Sequence, residues 1–197
     1  MTTRLATTRT KRQRTRAALI EAALAVAEEK GFLDAGLDEI AARAGMTKGA
    51  IYSNFSGKAE LMLRAAERRS LRIAPEYEPG APLKTQMQAI ARAVVELLPK
   101  ARGLERLNAA FQVYVLTEPE LRTHVAAHNS AALDAGADTL AREYGEILAM
   151  APRDLAVAIQ SLTIGFIYQH QLTPDAVTET VIVAAFEALA AGAVRGG

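Results

Sequence analysis

The fold of the N-terminal part is decided by residues 37–55, which read Leu-Asp-Glu-Ile-Ala-Ala-Arg-Ala-Gly-Met-Thr-Lys-Gly-Ala-Ile-Tyr-Ser-Asn-Phe. Apolar residues recur in its first half at helical spacing until Gly45, which tolerates the positive φ that a tight turn needs. Thr47 is a favoured residue type at a helix N-cap, so a second helix is predicted from Lys48 to about Phe55. Two short helices joined by such a turn form a helix-turn-helix unit.

The second helix of this unit carries the candidate DNA contacts. Met46, Ile51 and Phe55 are expected to face inward and to anchor it against the first helix. The opposite face and the N-terminal end would then meet base edges in the major groove. This set, called the reading edge below, is Thr47, Lys48, Gly49, Ala50, Ser53 and Asn54. The candidate contacts to DNA phosphate are Arg14, Thr47, Tyr52 and Lys58.

Each of these residues also has a purely structural interpretation. Thr47 could serve only as an N-cap, Lys58 as a solvated charge, and Tyr52 as a core aromatic residue whose hydroxyl reaches water. Their combination at fixed spacing directly behind a basic segment favours the interpretation as a DNA-binding unit.

Charge is divided unevenly along the chain. The net charge is only +1, yet residues 1–72 carry 14 Lys and Arg against 8 Asp and Glu, and residues 73–197 carry 9 against 14. The first sixteen residues hold six basic side chains, the last of them Arg16, and no acidic one. A polyanionic partner, foremost double-stranded DNA, is therefore expected at the N-terminal end.

Composition narrows the class of protein further. Half of the 197 residues are apolar and there is no cysteine, which excludes disulfides and Cys-based metal sites and is typical of a reducing compartment, so we expect a cytoplasmic protein. Polar residues such as Gln169 and Glu187 interrupt the two late apolar runs, so no membrane span is expected. The sequence contains neither a phosphate-binding glycine loop nor a nucleophile elbow. We therefore expect no enzyme, no cofactor and no metal.

The domain organisation follows from prolines and helical periodicity. Three of the seven prolines lie within residues 75–82, which a helix cannot cross. We predict an all-α chain of about nine helices. Its parts are a basic arm over 1–12, a helix-turn-helix domain over 13–74 and a C-terminal helical bundle over 83–197. Helices of the bundle are predicted near 83–99, 103–117, 119–145, 153–172 and 174–193.

Residues 13–72 resemble the DNA-binding domain of the TetR family of bacterial regulators. The matching motifs are Arg-x-x-Leu-Ile-x-Ala-Ala-Leu at 16–24, Gly-Phe at 31–32, Asp-Glu-Ile-Ala-x-x-Ala-Gly at 38–45 and Thr-Lys-Gly-Ala-Ile-Tyr-x-x-Phe-x-x-Lys-x-x-Leu at 47–61. The resemblance implies a homodimer on a palindromic operator and repression relieved by a small molecule in the C-terminal domain. Many relatives have Ser and Thr at the start of the second helix, so base preference is not carried over.

The C-terminal bundle supplies candidates for both implied sites. In TetR-like proteins the last two helices pair across a two-fold axis. Small residues on the last two predicted helices, between positions 158 and 188, suit such close packing. The candidate dimer interface is Ala158, Ser161, Gly165, Val181, Ala184 and Ala188. The candidate ligand pocket, apolar with few polar groups, is Met87, Leu107, Phe111, Tyr114, His124, His128, Phe166 and Tyr168. A plain intrachain core is the alternative for both sets.

Two other functions remain open at this point. The first is a DNA-binding protein that responds to no effector. The second is a metalloenzyme in a helical bundle, because Glu120, His124 and His128 share one helix face. Three ligands on a single helix are few, and the paired Glu-x-x-His motifs of carboxylate-bridged metal sites do not occur.

Overall fold

The computed structural model describes residues 2–69, 73, 75–76, 78–101 and 105–195, with side chains in the first helix from Lys11 onward. Over these residues the chain forms nine α-helices and no strand, so the predicted all-α class is confirmed. The helices are α1 (Thr2–Lys30), α2 (Leu37–Arg43), α3 (Lys48–Tyr52), α4 (Lys58–Arg69), α5 (Leu83–Ala101), α6 (Glu105–Thr117), α7 (Pro119–Tyr144), α8 (Pro152–Leu172) and α9 (Glu179–Ala193).

The chain divides into two compact units. The first comprises Met1–Ser70 and Leu104–Val125, and the second comprises Leu71–Gly103 and Ala126–Gly197. The segment 105–125, which lies beyond the predicted boundary at 75–82, therefore packs in the first unit. Its apolar residues explain this, because Tyr114 of α6 is buried and its ring stacks 6.1 Å from that of Phe32.

The first unit surrounds one hydrophobic core built from α1 to α4, α6 and the start of α7. Its largest fully buried side chains are Leu19, Phe32, Ile40, Ile51, Leu61, Met62 and Leu121. Gly31 ends α1 with φ +88°, and Gly45 turns the chain between α2 and α3 with φ +65°. Both are left-handed conformations that glycine adopts without steric cost, as the sequence predicts.

The second unit is a bundle in which α5 packs along α9 and α8 packs against both. Leu155, Ile182 and Phe186 are completely buried in its core. The last helix begins at Glu179 rather than near the predicted position 174, because Thr178 caps it and accepts a hydrogen bond from the Val181 N–H. In the described part of the chain, no helix is long and apolar enough to cross a bilayer.

Candidate nucleic-acid interface

The recognition helix is held by its inner face. Ile51 and Phe55 are buried in the core of the first unit and Met46 packs partly against it, as the apolar spacing predicts. Thr47, Lys48, Gly49 and Ser53 are exposed on the other side, while Ala50 and Asn54 are partly exposed. The reading edge therefore has four exposed and two partly exposed residues, and the side-chain oxygen of Asn54 is buried. The α-helix ends at Tyr52, and residues 53–55 continue it as a turn.

Two side chains of the reading edge are held by the backbone of the recognition helix itself. Ser53 Oγ donates to the Ala50 carbonyl at 3.0 Å, and Asn54 Nδ2 donates to the same carbonyl at 2.8 Å. Thr47 occupies the N-cap position of α3 as predicted, but its side chain makes no capping hydrogen bond. The role of Thr47 in DNA binding stays a prediction.

Lys48, the candidate base-reading cation, is oriented by a residue of the preceding helix. Its Nζ donates to the Asp38 carboxylate at 3.0 Å, and this hydrogen bond raises the pKa of Lys48. An ammonium group has three protons, so two remain for acceptors on a base or a phosphate. Both side chains are exposed, and water screens this ion pair.

The four phosphate candidates do not share one environment. Arg14 and Thr47 are exposed, and the ring of Tyr52 is 57% exposed although tyrosine is often buried. Lys58 instead donates to the Leu33 carbonyl at 2.8 Å, and its ammonium lies 5.7 Å from the centre of the Tyr114 ring. Burial lowers the pKa of Lys58. Its DNA role stays a prediction.

Arg16 shows where the sequence alone was insufficient. The sequence groups it with the basic N-terminal segment, yet the structure turns its guanidinium into the first unit, 4.2 Å above the Phe55 ring. The signal was present in the spacing, because Arg16 continues the buried stripe of α1 that runs through Leu19 and Ala23.

The residues predicted for the ligand pocket fall in different compact units. Four belong to the first unit and four to the second, so neither unit brings all eight together. The residues of the first unit are Leu107, Phe111, Tyr114 and His124, and those of the second are Met87, His128, Phe166 and Tyr168. Met87 is buried in the second core and the Phe166 ring lies 6.2 Å from that of Phe186, whereas Tyr168 is exposed.

The residues predicted for the dimer interface lie on the outer faces of α8 and α9. Ser161, Gly165, Val181, Ala184 and Ala188 are exposed and Ala158 is partly exposed. Large apolar side chains share these faces, and the exposed ones are Val157, Ile164, Tyr168 and Leu172 on α8 and Val181 on α9. We call this surface the α8/α9 face.

A surface depression of about 560 Å³ lies between α5 and α9. Apolar residues make up most of its wall, and Lys84 and Glu187 form an ion pair of 3.5 Å there. It contains none of the eight predicted pocket residues, but Ala184 and Ala188 of the predicted interface line it.

The candidate metal ligands Glu120, His124 and His128 do not converge. All three are exposed, and the His124 Nδ1 lies 2.9 Å from the Glu120 backbone carbonyl rather than from its carboxylate. Within the described ranges there is no group of three His, Cys, Asp or Glu side chains placed to hold a metal ion.

Comparison with known proteins gives the following matches. Residues 19–65 match the model of bacterial regulatory proteins, tetR family. The chain is 29% identical over 155 residues to the HTH-type transcriptional activator FasR of Mycolicibacterium smegmatis, covering 78% of this chain and 70% of that protein. Two other curated relatives are covered over only 39% and 61% of their own lengths.

Solved structures share the fold across nearly the whole chain. NalD, the secondary repressor of the MexAB-OprM multidrug efflux pump in Pseudomonas aeruginosa, superimposes with a TM-score of 0.61 at 22% identity, covering 93% of this chain and 97% of that one. A SmeT–triclosan complex superimposes with a TM-score of 0.60 at 22% identity, covering 93% of each chain. SmeT is described as the repressor of the Stenotrophomonas maltophilia multidrug efflux pump SmeDEF.

Proposed function

Because this chain belongs to the TetR family of bacterial regulatory proteins and is a DNA-binding transcriptional regulator rather than an enzyme, we propose that it is a dimeric repressor released from a palindromic operator by a small apolar molecule. It would act in the cytoplasm, where its operator lies. The observation that carries the proposal is the reading edge, an exposed polar surface on a helix whose other face is buried in the core.

The reading edge supports recognition of bases in the major groove. Lys48 keeps two ammonium protons for the acceptors of a guanine, and Ala50 suits contact with a thymine methyl group. Arg14, Thr47 and Tyr52 are exposed candidate contacts to phosphate, and such contacts position the protein without reading sequence. Lys58 donates one ammonium proton to the Leu33 carbonyl and keeps two for a phosphate.

The α8/α9 face supports a homodimer. Isolated exposed apolar residues are ordinary on protein surfaces, but a contiguous stripe of them marks a contact surface. Ile164, Tyr168 and Leu172 follow one another on α8 at helical spacing, each more than half exposed. A homodimer with a two-fold axis matches the symmetry of a palindromic operator, whose half-sites lie about 34 Å apart.

The effector proposal rests on family membership. A ligand weakens operator binding when it prefers a conformation in which the two recognition helices are wrongly spaced. The fold neighbour SmeT is known in complex with triclosan, a small molecule. For this chain we propose an apolar effector of similar size. Met87 and Phe166, in or against the second core, are the candidate contacts.

Selection of bound duplexes from a random library tests the DNA-binding proposal. The wild type should enrich a palindrome, and Lys48→Ala should change the base enriched at one position of each half-site. Tyr52→Phe, which removes only the hydroxyl, should weaken binding to every duplex by about tenfold with no change in preference, because the variant cannot donate a hydrogen bond to a charged phosphate. An unchanged preference in Lys48→Ala would remove Lys48 from the base-reading set.

Release by small molecules separates the repressor from a DNA-binding protein without effector. Apolar compounds, triclosan among them, are added to the protein on its selected operator, and the bound fraction is measured by fluorescence anisotropy. The bound fraction should fall to a plateau as the compound concentration rises. The same plateau on several operators supports release by an effector. If no compound in a broad apolar library releases the operator, the effector-independent function holds instead.

A further inference from the structure

Arg16 joins three elements around the C-terminal end of the recognition helix. Its guanidinium donates to the Asn54 carbonyl and, at 3.2 Å, to the Glu60 carboxylate, and it lies 4.2 Å above the Phe55 ring. Asn54 and Phe55 follow α3, Glu60 stands in the first turn of α4, and Arg16 itself belongs to α1. One side chain therefore contacts the end of the recognition helix and the helix that follows it, and fixes both to α1.

Glu60 completes the arrangement from the other side. Its second carboxylate oxygen accepts a hydrogen bond from the Ser56 backbone N–H at 2.7 Å. Burial by itself would raise the pKa of Glu60, but the hydrogen bonds from Ser56 and Arg16 outweigh it and lower the pKa, so the carboxylate is charged at neutral pH. The turn between α3 and α4 is thus held by a bridging carboxylate.

From this geometry we infer that Arg16 and Glu60 are positioning residues that set the sequence preference of DNA binding by holding the recognition helix at one orientation against α1. The inference rests on the proposed base-reading role of α3. A shift of the helix end by about 1 Å is enough to break hydrogen bonds to base edges, whose donor–acceptor distances span only about 0.5 Å. Phosphate contacts from flexible, exposed side chains tolerate such a shift.

Two features separate this role from a contact to phosphate. The side chain of Arg16 is only 29% exposed, and its guanidinium already meets a carboxylate, a carbonyl and a ring. Arg14, two positions earlier on α1, is exposed. A carboxylate at position 60 opposes DNA binding by its charge, so weaker binding after its removal has no explanation in net charge.

The test compares affinity for the selected operator with affinity for a scrambled duplex, over a series of salt concentrations, using the full chain. Arg16→Ala and Glu60→Gln are each expected to lower operator affinity at least tenfold and to leave scrambled affinity within twofold, so the specificity ratio falls. Arg16→Lys keeps the charge but lacks the planar fork of a guanidinium, and should fall between the wild type and Arg16→Ala.

Matched controls come from the same helices. Arg14→Ala should weaken both duplexes equally and reduce the salt slope by about one, as expected when a protein neutralises one phosphate fewer. Glu67→Gln, which removes a carboxylate paired with Arg64 on the surface of α4, should leave the specificity ratio unchanged. A variant that is merely less stable has less active protein, which lowers both apparent affinities equally and leaves the ratio intact.

Three results would overturn the inference. One is an equal weakening on both duplexes with a reduced salt slope in Arg16→Ala, which identifies a phosphate contact. Another is tighter binding of both duplexes by Glu60→Gln. The third is an unchanged specificity ratio in both Arg16→Lys and Glu60→Gln. These two variants decide the test if Arg16→Ala does not fold. The wild type is measured before any variant. If it binds the operator no more tightly than the scrambled duplex, the proposed function is refuted instead.

Discussion

The recognition helix of the first unit and the α8/α9 face of the second unit expose different kinds of surface. On the recognition helix the apolar Ile51 is buried, and exposed charges of the first unit are paired between elements, as in Arg43 with Glu29 and Lys30 with Glu39. Along α8 the exposed side chains are instead apolar, with Ile164 and Tyr168 each 58% exposed. A polar surface suits a partner that is itself highly charged, and an apolar stripe suits a second protein surface.

This contrast predicts different consequences of damage. The first unit has its own buried core, so a substitution in that core should destabilise the folded state. The α8/α9 face contributes little to the folded monomer, so a lesion there should cost assembly and leave the monomer folded.

The largest expected effect comes from the core of the first unit. Phe32 is 1% exposed, and its ring meets those of Phe111 at 5.1 Å and Tyr114 at 6.1 Å. Phe32→Ala should lower the free energy of unfolding by about 3–5 kcal/mol, because it opens a cavity in a packed cluster. Urea unfolding followed by circular dichroism measures this. Leu33→Ala, at an exposed neighbour, should change it by less than about 0.5 kcal/mol. If Phe32→Ala and Leu33→Ala lowered the free energy of unfolding equally, this assignment of Phe32 to the core would be contradicted.

The second effect concerns the α8/α9 face. Ile164→Asp should weaken dimerisation about 100-fold or more, roughly 2.7 kcal/mol, because a carboxylate would be buried without a partner in the interface. Sedimentation equilibrium measures the dimer, and the thermal unfolding of the monomer should be unchanged. Leu116→Asp, at a 68% exposed apolar residue of α6, is the matched control and should leave dimerisation unaffected. Loss of the folded monomer in Ile164→Asp would show that this face belongs to an intrachain core.

The smallest effect sharpens the assignment of α6 to the first unit. Burial raises the pKa of Tyr114 to about 12, with a further contribution from nearby Glu118 and Glu120. An unfolded tyrosine titrates near 10, so the folded state retains the proton longer. The stabilisation is complete below pH 10 and is lost as the pH rises through about 12.

Unfolding free energies at pH 9 and pH 11.5 measure this loss. The wild type should lose about 1–2 kcal/mol more than Tyr114→Phe over this interval. Tyr52→Phe, at an exposed tyrosine, should lose as much as the wild type. If Tyr114→Phe falls as steeply as the wild type, α6 does not stabilise the first unit through this ring.

Much of the fold and the outline of the site were predictable from local patterns. Gly31 and Gly45 adopt the positive φ that their places require, and Ile51 and Phe55 face the core as their spacing predicts. The start of α9 was not predictable from Pro174 alone, because the capping hydrogen bond of Thr178 determines it. The eight candidate pocket residues share an apolar or weakly polar chemistry, but local patterns carry no distances between them, and they fall in two units.

The amino-acid sequence by itself determined the helix-turn-helix and its buried and exposed faces, because helical periodicity and glycine turns act over a few residues. Only the tertiary structure decided which partners the charged residues meet. Arg14 and Arg16 are both arginines of the basic N-terminal segment. Arg14 is exposed, whereas Arg16 bonds to Glu60, 44 positions away. Such a partner is set by how helices pack, and no local pattern records it.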